Sequence, residues 1–330
     1  MMILVDEKET PMAHMIEEVN GVAQMAYAGD VPWHGLGTKV PNDLTPEQML
    51  DAAGLNWTVD KVPAYAKVNG SNVAIGQSAL VRSKDYKILD VVSDDWNPVQ
   101  NHEAFEFFND FVAAGDMEMH TAGSLRDGQI VWGLAKVKES FSLFKGDQID
   151  SYLLFSNFHK YGHSTDVRFT PIRVVCNNTL TLSLNSKVEQ MAKISHRKVF
   201  NPDDVKGMLG IAHDKLAQYK EMASFLGSKR YNNENIVEYF TRIFPVSGAN
   251  DKKKKEASKN AVLALDVLEK QPGAEFAPGT WWQAFNAVTY VTDHLHGRNA
   301  DNRLQSAWYG YHKGVKTKAL ETAVEMAEAS

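Results

Sequence analysis

Residues 158–200 concentrate the side chains best suited to chemistry or binding. The stretch FHKYGHSTDVRFTPIRVVCNNTLTLSLNS, Phe158 to Ser186, holds the only cysteine, Cys176, and two histidines, His159 and His163. Across 158–200, the cations Lys160, Arg168, Arg173, Lys187, Lys193, Arg197 and Lys198 stand against only Asp166 and Glu189, with Phe158, Tyr161 and Phe169 interleaved. A surface that holds an extended nucleic-acid strand needs that combination: cations to follow phosphates and flat rings on which bases stack. The expected partner is single-stranded DNA. Lys160, Arg168, Arg173, Lys193, Arg197 and Lys198 would meet phosphates, and Phe158 and Tyr161 would stack on bases. The amides Asn177, Asn178 and Asn185 add sugar or phosphate contacts. A second basic group, Lys229, Arg230, Arg242 and Lys252 to Lys255, extends the path if the fold brings it near. Taken singly, each of these charges is as well explained by a solvated strand or helix face.

Other chemistries have weaker signals. Asp293, His294 and His296 cannot all face one ion on a regular helix, because side chains two apart do not share a face. His159 and His163 would share a face only on a helix, which Gly162 disfavours. Cys176 lies in the apolar run Arg-Val-Val-Cys, where strand alternation turns it to the core rather than to a base that would activate it. His34 sits in a Trp-His-Gly loop and reads as a structural anchor. There is neither a G-x-x-x-x-G-K-[ST] nor a G-x-G-x-x-G motif after a strand. The adjacent carboxylates Asp94-Asp95, Asp203-Asp204 and Glu17-Glu18 sit where turns and helix starts collect acids anyway. No catalytic residue, metal or cofactor is assigned.

The net charge of −6 is unevenly spread. Residues 1–60 carry 2 basic and 10 acidic side chains, 61–157 carry 9 and 13, 158–260 carry 18 and 10, and 261–330 carry 6 and 8. A positive third inside an acidic protein can hold an anion locally while the whole stays soluble. One cysteine excludes an internal disulfide and fits a reducing compartment. No run reaches the length of a membrane span, so no membrane partner and a host-cell cytoplasmic location are expected.

The elements that must position these residues read as α+β, strands first and helices later. Residues 1–11 look like an extension, 12–200 a β-rich core domain, and 201–330 a helical region. Pro32, Gly35 and Gly37 argue against regular structure in the early stretch. Thr45-Pro46-Glu47 opens a short helix that Gly54 ends. Short strands at 56–68, 73–75, 79–82 and 87–92 form a meander. Asn101 caps a helix over 102–114. Strands 117–125 and 129–137 make a hairpin about Arg126-Asp127-Gly128, followed by strands at 150–158 and 168–184. Helices follow at 201–226, from 233 to about 244, to Leu268, over 280–296, and over 307–328. The whole stretch 158–186 is expected at the centre of a sheet.

Three separated blocks, MAHMIEEVNGVAQMAYAGDVPWHGLG, LDAAGLNWTVDKVPAY and FTPIRVVCNNTL, resemble a family of phage- and plasmid-encoded proteins defined by domain of unknown function nine-three-two. The likeness spans Met12 to about Lys270. The order of meander, helix and hairpin is also similar to the Rad-fifty-two-like single-strand annealing superfamily, whose members work as oligomers. That resemblance implies a homo-oligomer that anneals DNA strands for recombination. The alternatives are a metal-dependent hydrolase acting on nucleotides or nucleic acid through some of His34, His159, His163 and nearby carboxylates, and an interaction protein that targets a host factor.

Overall fold

The structure is a computed structural model that describes residues 16–32, 35–173, 178–179, 193–199, 201, 209–246, 257–296 and 303–330. It is α+β, with a strand-rich N-terminal half and a helical C-terminal part. Its largest sheet has the order β12-β11-β10-β9-β8-β3-β4. These strands are β3 (Met25–Ala28), β4 (Thr38–Val40), β8 (Met117–Leu125), β9 (Ile130–Leu143), β10 (Asp147–Phe158), β11 (Thr165–Arg173) and β12 (Asn178–Thr179). A further short strand, β13 (Lys193–Ile194), pairs with the start of β11. A second sheet is the meander β5 (Val59–Val68), β6 (Ser71–Arg82) and β7 (Ile88–Ser93). A small hairpin joins β1 (Glu18–Val19) to β2 (Val22–Ala23).

β10 is the spine. Every residue of it except Gln148 is buried. Its side chains alternate between two cores, as a strand covered on both faces requires. Leu153 and Phe155 enter a core with α1 (Pro46–Ala52), Trp57, Trp96, Phe105, Phe107 and Phe108. Tyr152, Leu154 and Phe158 enter the opposite core with Met25, Tyr27, Trp132 and Trp308. Trp308 arrives on α8 (Arg303–Tyr309). The near end of β10 meets the helical part, where Ile149 joins a third core with Trp281 and Trp282 of α7 (Trp281–Tyr290). Around α7 pack α4 (Leu209–Ser228), α5 (Asn233–Ile243), α6 (Lys259–Val267) and α9 (Tyr311–Glu328). The strand-rich and helical residues therefore share packing across residue 200.

Local chemistry accounts for the element ends. Thr45 caps α1 in a reciprocal box with Gln48. Arg126 and Asp127 adopt positive φ before Gly128, which turns β8 into β9. The expected 102–114 helix is instead two, α2 (Asn101–Glu106) and α3 (Asn109–Ala113), and Gln100 with Glu103 closes the capping box. Phe105 and Phe107 would lie on opposite sides of one helix; the break lets both, with Phe108, enter the same core. The 73–75 and 79–82 strands are one strand, β6, and residues 25–28 form β3 inside the main sheet rather than irregular chain. The 280–296 helix ends as α-helix at Tyr290 and continues as one π-helical turn, Val291–Leu295. There Asp293 meets the fully buried Lys316 at 2.9 Å. Cys176, His34 and most of the expected 168–184 strand lie outside the described residues.

A buried ion pair ties the first described residues to the meander. Arg82, 2% exposed, meets Glu17 at 2.5 Å and forks onto Asp85 at 2.9 and 2.6 Å. Ser124 donates to the other Glu17 oxygen at 2.8 Å. Hydrogen bonding from Arg82 holds the Asp85 carboxyl down at about 2. Removing one partner strands a buried charge. Arg82→Met is expected to lower unfolding free energy by about 3 kcal/mol or more in urea titration, and Glu17→Gln in the same chain to recover part of it. A loss under about 0.5 kcal/mol, the range of an ordinary surface change, contradicts this reading.

Candidate nucleic-acid interface

The basic stretch is built on two segments at one end of the main sheet. The first is the turn from β10 to β11. His159 N–H donates to Gln129 O at 2.9 Å, Gly162 takes φ +76, and Tyr161 N–H donates to Asp90 Oδ2 of β7 at 2.9 Å. That leaves Lys160 half-buried at the surface and the Tyr161 ring 60% exposed. The second segment follows β13. Thr165 and Asp166 pair with Ile194 and Lys193, which fixes the segment beside the turn. His196 then clamps it to the loop after β7. Its ring stacks on Trp96 at 4.0 Å, and its backbone carbonyl and Nδ1 both meet Asn97. Lys193, Arg197 and Lys198 remain exposed. Arg197 keeps one partner, Asp95 at 3.5 Å, in an exposed pair that solvent screens.

Two sequence-derived assignments need correction. Phe158 is 4% exposed, stacked on His163 at 4.9 Å and edge-on to Tyr309 at 5.3 Å, so neither ring face is open to a base. Arg168 is turned inward. It forks onto Asp166, donates to the Trp308 carbonyl, and covers the Tyr309 ring at 5.3 Å. Its charge docks α8 onto the sheet instead of facing solvent. Arg173 ends β11, paired through its backbone with Ile149 and Asn178. The described backbone brings Lys160, Tyr161, Lys193, Arg197 and Lys198 to one sheet end. Arg230 and Arg242 belong to the helical part, the latter paired with Glu325.

Beneath this end lies a polar network that the sequence reading missed. Asn101 Nδ2 donates to the carbonyls of Leu55 and Trp57 at 3.0 and 3.3 Å, so its Oδ1 accepts from His159 Nε2 at 3.0 Å. Asn157 Nδ2 donates to Val99 O at 2.7 Å. His159 Nδ1 and His196 Nε2 are buried and have no hydrogen-bond partner among the described residues. His159, one of the three histidines the hydrolase alternative names, is 0% exposed and packed against Trp57. Among the described residues no three His, Cys, Asp or Glu side chains gather as a metal site would require. The only sequence signal for the network was the run Gln100-Asn101-His102 opening a helix, which reads as capping alone.

The fold is α+β, and one end of its main sheet carries the exposed Lys193, Arg197 and Lys198, the half-buried Lys160 and the exposed Tyr161 ring. The chain belongs to the family described as Domain of unknown function (DUF932), whose model matches residues 88–308, from β7 through α8. Comparison with curated proteins and with solved structures returns no match. The likeness to single-strand annealing proteins therefore receives no support from these comparisons. Among the described residues no helix is long and apolar enough to cross a membrane.

Both buried histidines are neutral in the fold. Burial pushes His159 down to about 3, with His196 and Arg82 nearby adding to the effect, and pushes His196 down to about 4. The unfolded chain takes up these protons near its ordinary 6.5, so it binds more protons than the fold as pH drops below that value. The histidine contribution is thus complete above pH 6.5 and lost as pH falls toward 4. Each group costs up to about 1.4 kcal/mol per pH unit in that window. Urea unfolding between pH 7 and 4.5 is expected to show that decline, and His159→Gln to make it shallower, with His196 and the likewise depressed His120 supplying the rest. A slope unchanged by His159→Gln contradicts the assignment.

Proposed function

We propose that this protein binds single-stranded DNA and promotes strand annealing or recombination without a cofactor, in the phage or plasmid setting that the family resemblance implies. The observation that carries this reading is the pairing of β13 with the start of β11. It sets Lys193, Arg197 and Lys198 beside Lys160 and the exposed Tyr161. Annealing asks for no acid or base. It asks for a surface that grips phosphates and leaves base edges free, and such a surface grows longer when subunits stand side by side.

A homo-oligomer is part of the proposal, supported by the outer face of the meander. Strand alternation and pairing put Val62, Val68, Val73, Ile75, Ile88 and Val91 on one side of that sheet, each between 38% and 62% exposed. Together they form a row of half-exposed aliphatic side chains, the kind of surface a partner can cover. A second copy covers it in this reading. The same face is what the alternative, an interaction protein directed at a host factor, would use.

The test is binding of a labelled oligothymidylate across salt concentrations. Expected is tight, single-strand-preferring binding whose logarithm falls linearly with log salt. The triple variant Lys193→Glu, Arg197→Glu, Lys198→Glu should lose about tenfold or more and shed about 0.7 of slope per phosphate contact. These positions are exposed, so the circular dichroism spectrum should not change. No binding at low salt, or a charge reversal without effect, rules the reading out.

A further inference from the structure

The hairpin of β5 and β6 runs past the body of the protein. From Val62 to Gln77 no residue is buried. Asn69 and Gly70 close the tip with φ of 49° and 85°, both left-handed, as a two-residue hairpin turn requires. An arm with two solvated faces gains little from a core, so its side-chain pattern points to what the arm does rather than to how the fold is held.

The two faces differ. Lys61 pairs with Leu80, Pro63 with Ser78, Tyr65 with Ala74 and Lys67 with Asn72. Paired residues share a face, and Leu80 and Ser78 are buried against the body, so this row lies on the body-facing side of the sheet. The opposite side carries Val62, Ala66, Val68 and Val73. The body-facing row therefore reads Lys61, Pro63, Tyr65, Lys67 along one strand, with Tyr65 60% exposed between two lysines. The lysines are six residues apart, about 20 Å along the strand. From Lys61 to Lys84 the sequence contains no carboxylate, inside a protein of net charge −6.

The row also joins the sheet end. Lys61 Nζ donates to Asp94 O at 2.5 Å, and the next residue, Asp95, pairs with Arg197. The arm and the 195–199 segment thus meet at two consecutive residues. We propose that the body-facing side of the arm is a second contact for single-stranded nucleic acid: a strand gripped at Arg197 and Lys198 continues along Lys61 and Lys67, with a base stacked on Tyr65. The occupant is argued from charge and from the ring, because a polyanion with flat bases matches two lysines with an open aromatic face between them. This inference rests on the nucleic-acid reading of the sheet end and extends it to a strand longer than that end alone can hold.

The experiment uses the full chain and two oligothymidylates, one of about eight nucleotides and one of about thirty. The double variant Tyr65→Ala, Lys67→Ala changes exposed side chains only. It is expected to weaken binding of the long oligonucleotide about tenfold and leave the short one unchanged, while Tyr65→Trp keeps the long affinity. Photocrosslinking of a bromodeoxyuridine-substituted long oligonucleotide should map to Tyr65 in the unaltered protein. Equal long-strand affinity in the double variant, with wild type binding both, overturns the arm contact and leaves the sheet end standing. Failure of wild type to bind either oligonucleotide overturns both.

Discussion

A strand buried on both faces constrains everything around it. β10 places nearly all its side chains out of water, so something must cover each side, and its inward polar side chains, Ser151 Oγ apart, are answered among the described residues. The answers come from distant parts of the chain. Asp147 accepts from Trp282 Nε1 at 3.0 Å, Asp150 meets Lys136 at 2.6 Å, Ser156 bonds Tyr309 at 2.6 Å, and Asn157 holds the Val99 carbonyl. Through these four contacts one strand ties together the helical part, the main sheet, α8 and the loop before α2. The turn that follows β10 inherits that rigidity. Lys160 and Tyr161 project from an anchored base, which is what a contact surface needs if it is to hold a strand in one register.

The same constraint separates the side chains that face solvent from those that only look available in sequence. β11 lies next to β10, and its Arg168 sits where α8 must dock, so its guanidinium closes an internal junction. Within 195–199, by contrast, only His196 is buried. Its neighbours Arg197 and Lys198 stay in water. One face of this segment packs on the loop after β7 and the other faces solvent.

Much of the local structure was legible because its causes are local. The Thr45 cap, the Arg126-Asp127-Gly128 turn and the α+β order depend on neighbours within a few residues. What failed depended on remote partners. Phe158 and Arg168 read as open contacts because the residues that cover them, Trp308 and Tyr309, lie far along the chain; Arg168 and Trp308 are 140 positions apart. β3 was hidden because a short strand covered on both faces has no alternation, and Gly and Pro follow closely. β6 looked like two strands because an arm exposed on both sides can carry Ser, Asn, Gly and Gln without cost. Of the basic residues chosen from sequence, Lys193, Arg197 and Lys198 are exposed and Lys160 is half-buried.

The most direct measurement of the central claim is hydrogen–deuterium exchange of the full chain with and without a saturating single-stranded oligonucleotide. The account predicts slowed exchange in the β10–β11 turn around Lys160 to His163 and in the segment from Lys193 to Val199, with no change in α7 or α9. Protection confined to the helical part, or none anywhere under conditions where binding is saturated, would contradict it.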